Sequence, residues 1–302
     1  MKNDEIKIGL IGLDTSHCEA FTQVFNDSSY AHHIPGARVV VACPGVSTDY
    51  PPSVQRSVCY IDKLKNSYKI PMVETPEEVA SQCDLVMITS LDGRKHLEFV
   101  EKVAPFKKPT FVDKPFTTTS SDAERIVKLS KEGGFPLMSC SALRYMDGFR
   151  KGLETQEHGA LKGMHVFGTM ILDDFMPGWF FYGVHWVEMV VAAFGPDFKD
   201  IVVQSDEDQD HLLARWKTGA FATINGQRTA HRNWGVTFHF EKYFINVDLQ
   251  KDSRLIYCGM LEKVIQELAH GKMPVSYEEM LAVVRMMEVA NKSRQNGQRI
   301  FL

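Results

Sequence analysis

The run IKIGLIGL over Ile6–Leu13 is apolar at consecutive positions, the pattern of a strand buried on both faces of a parallel sheet. Residues 16–25 follow with helical spacing, Phe21, Val24 and Phe25 recurring at three and four. ARVVVAC (Ala37–Cys43) is a second β-branched run, stopped by Pro44 and Gly45. Strand, helix and strand in about 40 residues make a βαβ unit at the start of the sequence. The alternation continues. Thr75 before Pro76 predicts an N-cap with proline at the first helical position. LVMIT (Leu85–Thr89) reads as a strand, His96–Val103 as a helix and Pro109–Val112 as a short strand. Ser120–Lys131 is an amphipathic helix ended by Gly133 and Gly134, and Pro136–Ser139 starts another strand. This rhythm predicts an α/β fold with a Rossmann-type, doubly wound parallel sheet.

Beyond residue 140 the rhythm changes. Met164–Ile171, Asp200–Gln204, His211–Trp216, Ala220–Gly226, Val236–Phe240 and Tyr243–Asp248 are strand-like with short links. One helical block, Gly183–Phe194, lies between the first two. Leu261–Ala269 and Ser276–Ser293 read as helices, the latter with Ser276 and Glu279 spaced as a capping box. The second half is thus expected to be an α+β domain with a mainly antiparallel sheet. The division expected is 1–120 for the Rossmann-type domain and 121–302 for the α+β domain.

Composition narrows the function classes. A length of 302 residues suits two domains. Lys and Arg number 34 and Asp and Glu 38, for a net charge of −4, which argues against a nucleic-acid partner. No apolar run approaches the ~18 residues of a membrane span. The opening MKNDEIKIGL lacks the form of a signal peptide, so a cytoplasmic protein without a membrane partner is expected. Six cysteines (18, 43, 59, 83, 140 and 258) contain no C-x-x-C pair. A disulfide framework is conceivable from the even count, but in a chain this long the cysteines read as buried reduced thiols. No zinc-ligand spacing is present, and no metal is expected.

Five motifs stand in order: IGLIG at the start, LVMIT with a polar loop and His96, VDKP (112–115), LRY (143–145) and GVHWVE (183–188). With the tail SYEEMLAVVRMMEVANKSRQNGQRIFL, this order resembles the glucose-fructose oxidoreductase, inositol dehydrogenase and MocA (Gfo/Idh/MocA) family from Ile6 to Leu302. The resemblance implies a Rossmann domain plus a domain with an open, mainly antiparallel sheet. Members commonly pair through that sheet, so a homodimer or homotetramer is expected. It also implies NAD or NADP as cofactor and a small, carbohydrate-like substrate: a sugar, cyclitol or related polyol.

The cofactor loop departs from the pattern. A dinucleotide fingerprint uses three glycines: for the turn, for backbone approach to the pyrophosphate and for helix–strand packing. In Gly12-Leu13-Asp14-Thr15-Ser16-His17 only Gly12 fills its place, with Asp14 at the second position and His17 at the third. A side chain at 14 blocks close approach, and its carboxylate repels phosphate. The helix start still offers N–H groups and a positive dipole, and the hydroxyls of Thr15 and Ser16 could donate hydrogen bonds. Alternatively Asp14, Thr15 or Ser16 caps the helix and no ligand binds. No acid follows the second strand to take ribose hydroxyls. The loop Ser47–Arg56 has hydroxyls and Arg56, which could accommodate the 2′-phosphate of NADP, or it is a plain surface loop.

The remaining site residues follow from the resemblance. Lys114, with Asp113 standing for the family's Glu and a cis bond implied before Pro115, would hydrogen-bond the cofactor ribose and the reacting hydroxyl. Its charge would favour the developing alkoxide. Thr89 and Ser90 open a loop with Asp92, Arg94 and His96 that either touches cofactor and substrate or is solvated. His185 has the chemistry of a base near neutral pH. The family's aspartate one turn earlier is Phe181 here, so Glu188, three residues on, could orient or charge-pair the imidazole. Trp179, Phe180, Phe181, Tyr182 and Trp186 around it are packing or an apolar wall for a ring. Arg144 matches a recurrent family arginine, and Asp173 and Asp174 are candidate pocket residues. The reading is an NAD(P)-dependent oxidoreductase in which Lys114 polarises the substrate oxygen and His185 takes its proton. A variant recycles the cofactor and gives net hydrolysis, elimination or epimerisation. The alternative is a non-redox ligand-binding or interaction protein that kept the fold and lost the cofactor.

Overall fold

The structure is a computed structural model that describes residues 5–155, 157–228, 234–251 and 255–302. In its first half the elements are β1 (Ile6–Ile11), α1 (Ser16–Asn26), β2 (Ala37–Cys43), α2 (Pro51–Asn66), α3 (Pro76–Gln82), β3 (Leu85–Ile88), α4 (His96–Val103), β4 (Thr110–Val112), α5 (Ser120–Gly133) and β5 (Leu137–Met138). All five strands pair in parallel, in the order β2-β1-β3-β4-β5. Ile8, Leu10, Ile11 and every residue of β3 are buried, which is why these strands read as continuous apolar runs. Helices α1 and α2 pack together, as do α3 and α4. The cap expected at Thr75 is a full capping box with Glu78, and Pro76 opens α3.

One expectation is overturned here. Ser47–Arg56 is not a surface loop: Pro51 and Pro52 open α2, and Ser47, Tyr50 and Ser53 are fully buried. Proline is tolerated in a first helical turn because its missing N–H would have no partner there. Helix α2 buries Ser53, Ser57 and Leu64, two serines and a single leucine, so its hydrophobic period is faint in the sequence.

The second half contains α6 (Asp147–Glu154), β6 (Leu161–Thr169), α7 (Gly183–Phe194), β7 (Phe198–Ser205), β8 (Gln209–Trp216), β9 (Phe221–Gln227), β10 (Gly235–Phe240), β11 (Phe244–Asp248), α8 (Cys258–Gln266), α9 (Tyr277–Asn296) and β12 (Ile300–Phe301). The sheet order is β11-β10-β6-β9-β8-β7-β12. Every pair is antiparallel except β6–β9. Met164, Val166, Leu212, Ala214, Ala222, Ile224, Val236 and Phe238 are buried on one face, on the side where α7 packs on β6 and β9. The alternate residues, among them His165, Phe167, His211, Phe221 and His239, are half-buried or exposed, so the other face is open. Asp200 and Asp210 are fully buried yet paired: Asp200 accepts from Arg215 and Arg299, and Asp210 from Arg228 and Arg294. The capping box of Ser276 and Glu279 opens α9.

The chain forms two compact units, and the division is not a single cut. The first comprises 1–117, 121–140 and 260–280, and the second 118–120, 141–259 and 281–302. Residues 121–140 join the first because β5 pairs with β4. All six cysteines are free, and all but Cys59 are buried. Among the described residues, no helix is long and apolar enough to cross a membrane.

Candidate active site

In the first unit, the carboxyl ends of β1, β3 and β4 meet in a network of loops. Gly12 has φ +89, and a Cβ on it would stand 2.4 Å from the Ser90 amide nitrogen, so the turn admits glycine alone. The Thr89 hydroxyl donates to the Gly12 carbonyl at 2.7 Å. Asp14 is fully buried and turned inward: Oδ1 accepts from the Leu91 amide at 2.7 Å and Oδ2 from the Ser53 hydroxyl at 2.6 Å. Burial pushes its carboxyl above the usual range, against those two hydrogen bonds. The carboxylate thus ties β1–α1 to the start of α2 and does not stand on the helix end.

The polar loop after β3 is internal as well. Ser90, Asp92 and His96 are fully buried. His96 has Nε2 3.0 Å from the Ser90 carbonyl and Nδ1 3.0 Å from the Phe116 carbonyl, so it staples the loop after β3 to the loop after β4. Asp92 accepts twice from the Arg94 guanidinium, at 2.9 and 2.8 Å. Burial alone would raise the Asp92 carboxyl, but Arg94 holds it below its ordinary value. Arg94 also lies 3.4 Å from Asp49 and over the Tyr50 ring. Thr89, Ser90, Asp92 and His96 therefore shape the loops from inside.

Asp113, Lys114 and Pro115 follow β4, and the Lys114–Pro115 bond is cis. Asp113 is buried; Oδ1 accepts from the Lys114 amide at 2.8 Å, and Oδ2 lies 2.5 Å from His17 Nδ1. Burial would raise its carboxyl, but His17 and Lys114 hold it below the ordinary value. Lys114 is half-buried, and among the described residues its ammonium has no ion-pair partner. Burial pushes that ammonium below its usual value and Arg56 adds to the shift, while Asp113 opposes it. An ammonium of this kind seeks an oxygen ligand.

Two observations decide whether a dinucleotide fits the start of α1. Thr15 at the N-cap makes no side-chain capping hydrogen bond, so its hydroxyl does not occupy the N–H groups and positive dipole at the start of α1. The side chains that replace the second and third glycines are drawn aside, Asp14 to Ser53 and Leu91 and His17 to Asp113. The residues present fit the group: the backbone at Ser16 and His17 and the exposed Ser16 hydroxyl would hold its pyrophosphate.

In the second unit, α7 presents His185 one helical turn from Glu188. His185 Nδ1 lies 2.6 Å from Ser141 Oγ, and Ser141 is also the N-cap of a short 3₁₀ turn over Ala142–Tyr145. Arg144, in that turn, donates to Glu188 Oε1 at 2.8 Å, and both side chains are buried. The partner expected for the imidazole was Glu188. It accepts from Arg144, and a buried carboxylate is strongly stabilised by a guanidinium. Ser141 was missed by sequence reasoning. Its only signal is spacing: Ser141 to Arg144 is three residues, as is His185 to Glu188. Trp179, Phe180 and Trp186 are fully buried packing, whereas Phe181 and Tyr182 are half-buried beside His185. Asp173 Oδ1 accepts from the Phe175 and Met176 amides at 2.9 Å, closing a turn, and Asp174 is exposed.

Residues 6–139 match the Gfo/Idh/MocA family, described as an oxidoreductase family with an NAD-binding Rossmann fold. A curated relative, the myo-inositol 2-dehydrogenase of Thermotoga maritima, is 24% identical over 55% of this chain and 55% of that protein. The chain thus spans about half the length of the curated relative it matches. The crystal structure of myo-inositol dehydrogenase from Lactobacillus casei in complex with NAD(H) and myo-inositol superposes with TM-score 0.79 at 15% identity, over 98% of this chain and 96% of that one. Apo scyllo-inositol dehydrogenase from Lactobacillus casei gives TM-score 0.80 at 12% identity, over 100% and 99%. At such identities the solved structures establish the fold. Over residues 6–139 the chain is thus similar to the Gfo/Idh/MocA oxidoreductase family, and over its whole length it shares the fold of these solved dehydrogenases.

Proposed function

We propose that this protein is an NAD(P)-dependent dehydrogenase of a sugar, cyclitol or related polyol. The observation that carries the reading is Lys114: a half-buried ammonium without an ion-pair partner among the described residues, after β4 of a segment that matches an NAD-binding family. The inositol dehydrogenases among its relatives support the substrate class. The uncapped start of α1, with the Thr15 and Ser16 hydroxyls, supports the dinucleotide.

When bound, the nicotinamide supplies the hydride acceptor. Lys114 donates a hydrogen bond to the reacting oxygen and stabilises the alkoxide that develops there. With its Nδ1 proton donated to Ser141 Oγ, His185 would take the hydroxyl proton at Nε2. Arg144 and Glu188 hold the 3₁₀ turn that carries Ser141 against α7. A cytoplasmic protein acting as a homodimer or homotetramer belongs to the same reading. The open sheet face, where Phe167, Phe221 and Phe244 are exposed, supports self-association, and light scattering coupled to gel filtration would overturn it by showing a monomer.

Titration of the protein against NADH and NADPH fluorescence, followed by turnover with a panel of inositols and sugars, tests the proposal. Binding in the micromolar to sub-millimolar range is expected, with reduction of NAD(P)⁺ by at least one polyol. A second reading, a ligand-binding protein that has lost the cofactor, is favoured by Asp14 and His17 standing in two of the three glycine positions. Absence of binding by either nucleotide up to millimolar concentration would decide for it.

A further inference from the structure

We propose that His17 is a positioning residue for Lys114, acting through the carboxylate of Asp113. The inference rests on the dehydrogenase reading for its consequence in turnover, but its geometry stands apart from it. Asp113 bridges two elements: Oδ2 meets His17 Nδ1 at 2.5 Å, and Oδ1 accepts the backbone N–H of Lys114 at 2.8 Å. The imidazole is seated from behind as well. It stacks on Phe21 at 5.4 Å, and Phe21 meets Phe111 edge-on at 6.4 Å. Phe111 lies in β4, two residues before Asp113. The first turn of α1 and the segment that carries Lys114 are therefore joined twice, by a ring stack and by a charge-assisted hydrogen bond.

A glycine at position 17 would allow close packing of helix on strand and nothing more. The imidazole gives Asp113 a partner other than the neighbouring ammonium. Three groups act on Lys114 electrostatically: Asp113 beside it in the chain, His17 from α1 through Asp113, and Arg56 from α2. With Asp113 committed to His17 and to the Lys114 amide, the ammonium is left for a substrate oxygen. Without His17, the buried carboxylate would turn its charge to the ammonium.

Competitive acylation of Lys114, read by mass spectrometry across a pH series, tests this without nucleotide or substrate. In His17→Ala the Lys114 amine is expected to hold its proton more tightly. Each unit of rise in its pKa lowers the labelling rate near neutral pH about tenfold. His17→Asn, whose amide can donate to Oδ2 from nearly the same place, is expected to restore the rate. Unchanged labelling in His17→Ala, or an equal loss in His17→Asn, overturns the proposal. Should His17→Ala fail to fold, proton NMR of the wild type carries the test. A far-downfield Nδ1 proton of His17, lost in Asp113→Asn, is expected, and its absence from the wild type overturns the pairing. In turnover, His17→Ala should lower kcat with little change in the polyol KM, and His17→Asn should recover it. If the wild type binds no dinucleotide while the labelling pattern holds, the dehydrogenase reading falls and the relation of His17 to Lys114 stands.

Discussion

Ser141 Oγ lies 2.6 Å from Nδ1 of His185. The same oxygen accepts the Leu143 amide at 3.2 Å, so the hydroxyl is fixed before the imidazole meets it. If His185 takes the substrate proton at Nε2, the tautomer with the proton on Nδ1 is the competent one, and Ser141 Oγ is placed to accept that Nδ1 proton. A positioned general base contributes about 10²–10⁴-fold, so His185→Ala should lose that much in kcat. Ser141→Ala should lose a smaller share with KM nearly unchanged. Steady-state kinetics with the best polyol check both, and wild-type kcat in Ser141→Ala would remove the serine from the mechanism.

Lys114→Met should separate function from stability. Loss of an electrostatic stabiliser of the alkoxide lowers kcat by about 10²–10³-fold. Stability should hold or rise, because the folded chain no longer desolvates a charge that lacks an ion-pair partner among the described residues. The pH dependence has a definite sign. The folded pKa of Lys114 lies below its ordinary 10.5, so between the two values the unfolded chain binds more protons and wild-type stability climbs with pH. The methionine variant lacks that climb. Its advantage over the wild type, measured by urea unfolding at several pH values, should be greatest near neutral pH and shrink as pH approaches 10.5.

The strands and most helices were legible because their signals are local. LVMI is buried throughout, IKIGLI and ARVVVAC are buried over most of their length, and α4 and α7 match their expected limits residue for residue. Helix α2 was not legible, because it buries Ser53 and Ser57 where a pattern search looks for leucines. The site was legible as a set of residues but not as a set of pairs. The partners of Asp14, His185 and Glu188 stand 39 to 77, 44 and 44 positions away, and only folding selects them. The carboxylate at position 14 reads as an obstacle to phosphate in the sequence. In the structure it is an internal tie, because the chain supplies Ser53 and the Leu91 amide to receive it.

Arg144 and Glu188 should behave as a structural pair. Both are buried, so Arg144→Ala takes the guanidinium from a buried carboxylate and should cost about 3–5 kcal/mol. Arg144→Met combined with Glu188→Leu removes both charges at similar volume and should lie much closer to the wild type. Chemical denaturation of the single and double variants measures the coupling. Additive losses would show that the two side chains act separately.

Asp14 offers the sharpest test of how the glycine loop has been rebuilt. Replacement by glycine restores the second glycine of the fingerprint, and the sequence pattern alone would favour tighter nucleotide binding. The structure argues otherwise, because the carboxylate already faces Ser53 and Leu91. Asp14→Gly should leave NADH affinity within a few-fold of wild type. It should also cost on the order of 1–3 kcal/mol of stability, as the Leu91 amide and the Ser53 hydroxyl lose their acceptor. Asp14→Asn keeps an acceptor for Leu91 and removes the charge. The folded pKa of Asp14 lies above its ordinary 3.8, so the stability this group contributes is complete below 3.8 and is lost as pH rises through the folded value. The asparagine variant escapes that loss. Its stability relative to wild type, followed by thermal unfolding from acidic to neutral pH, should therefore increase with pH; a flat difference would mean that the carboxylate is not desolvated, and a large gain in NADH affinity for Asp14→Gly would mean that it does face the pyrophosphate.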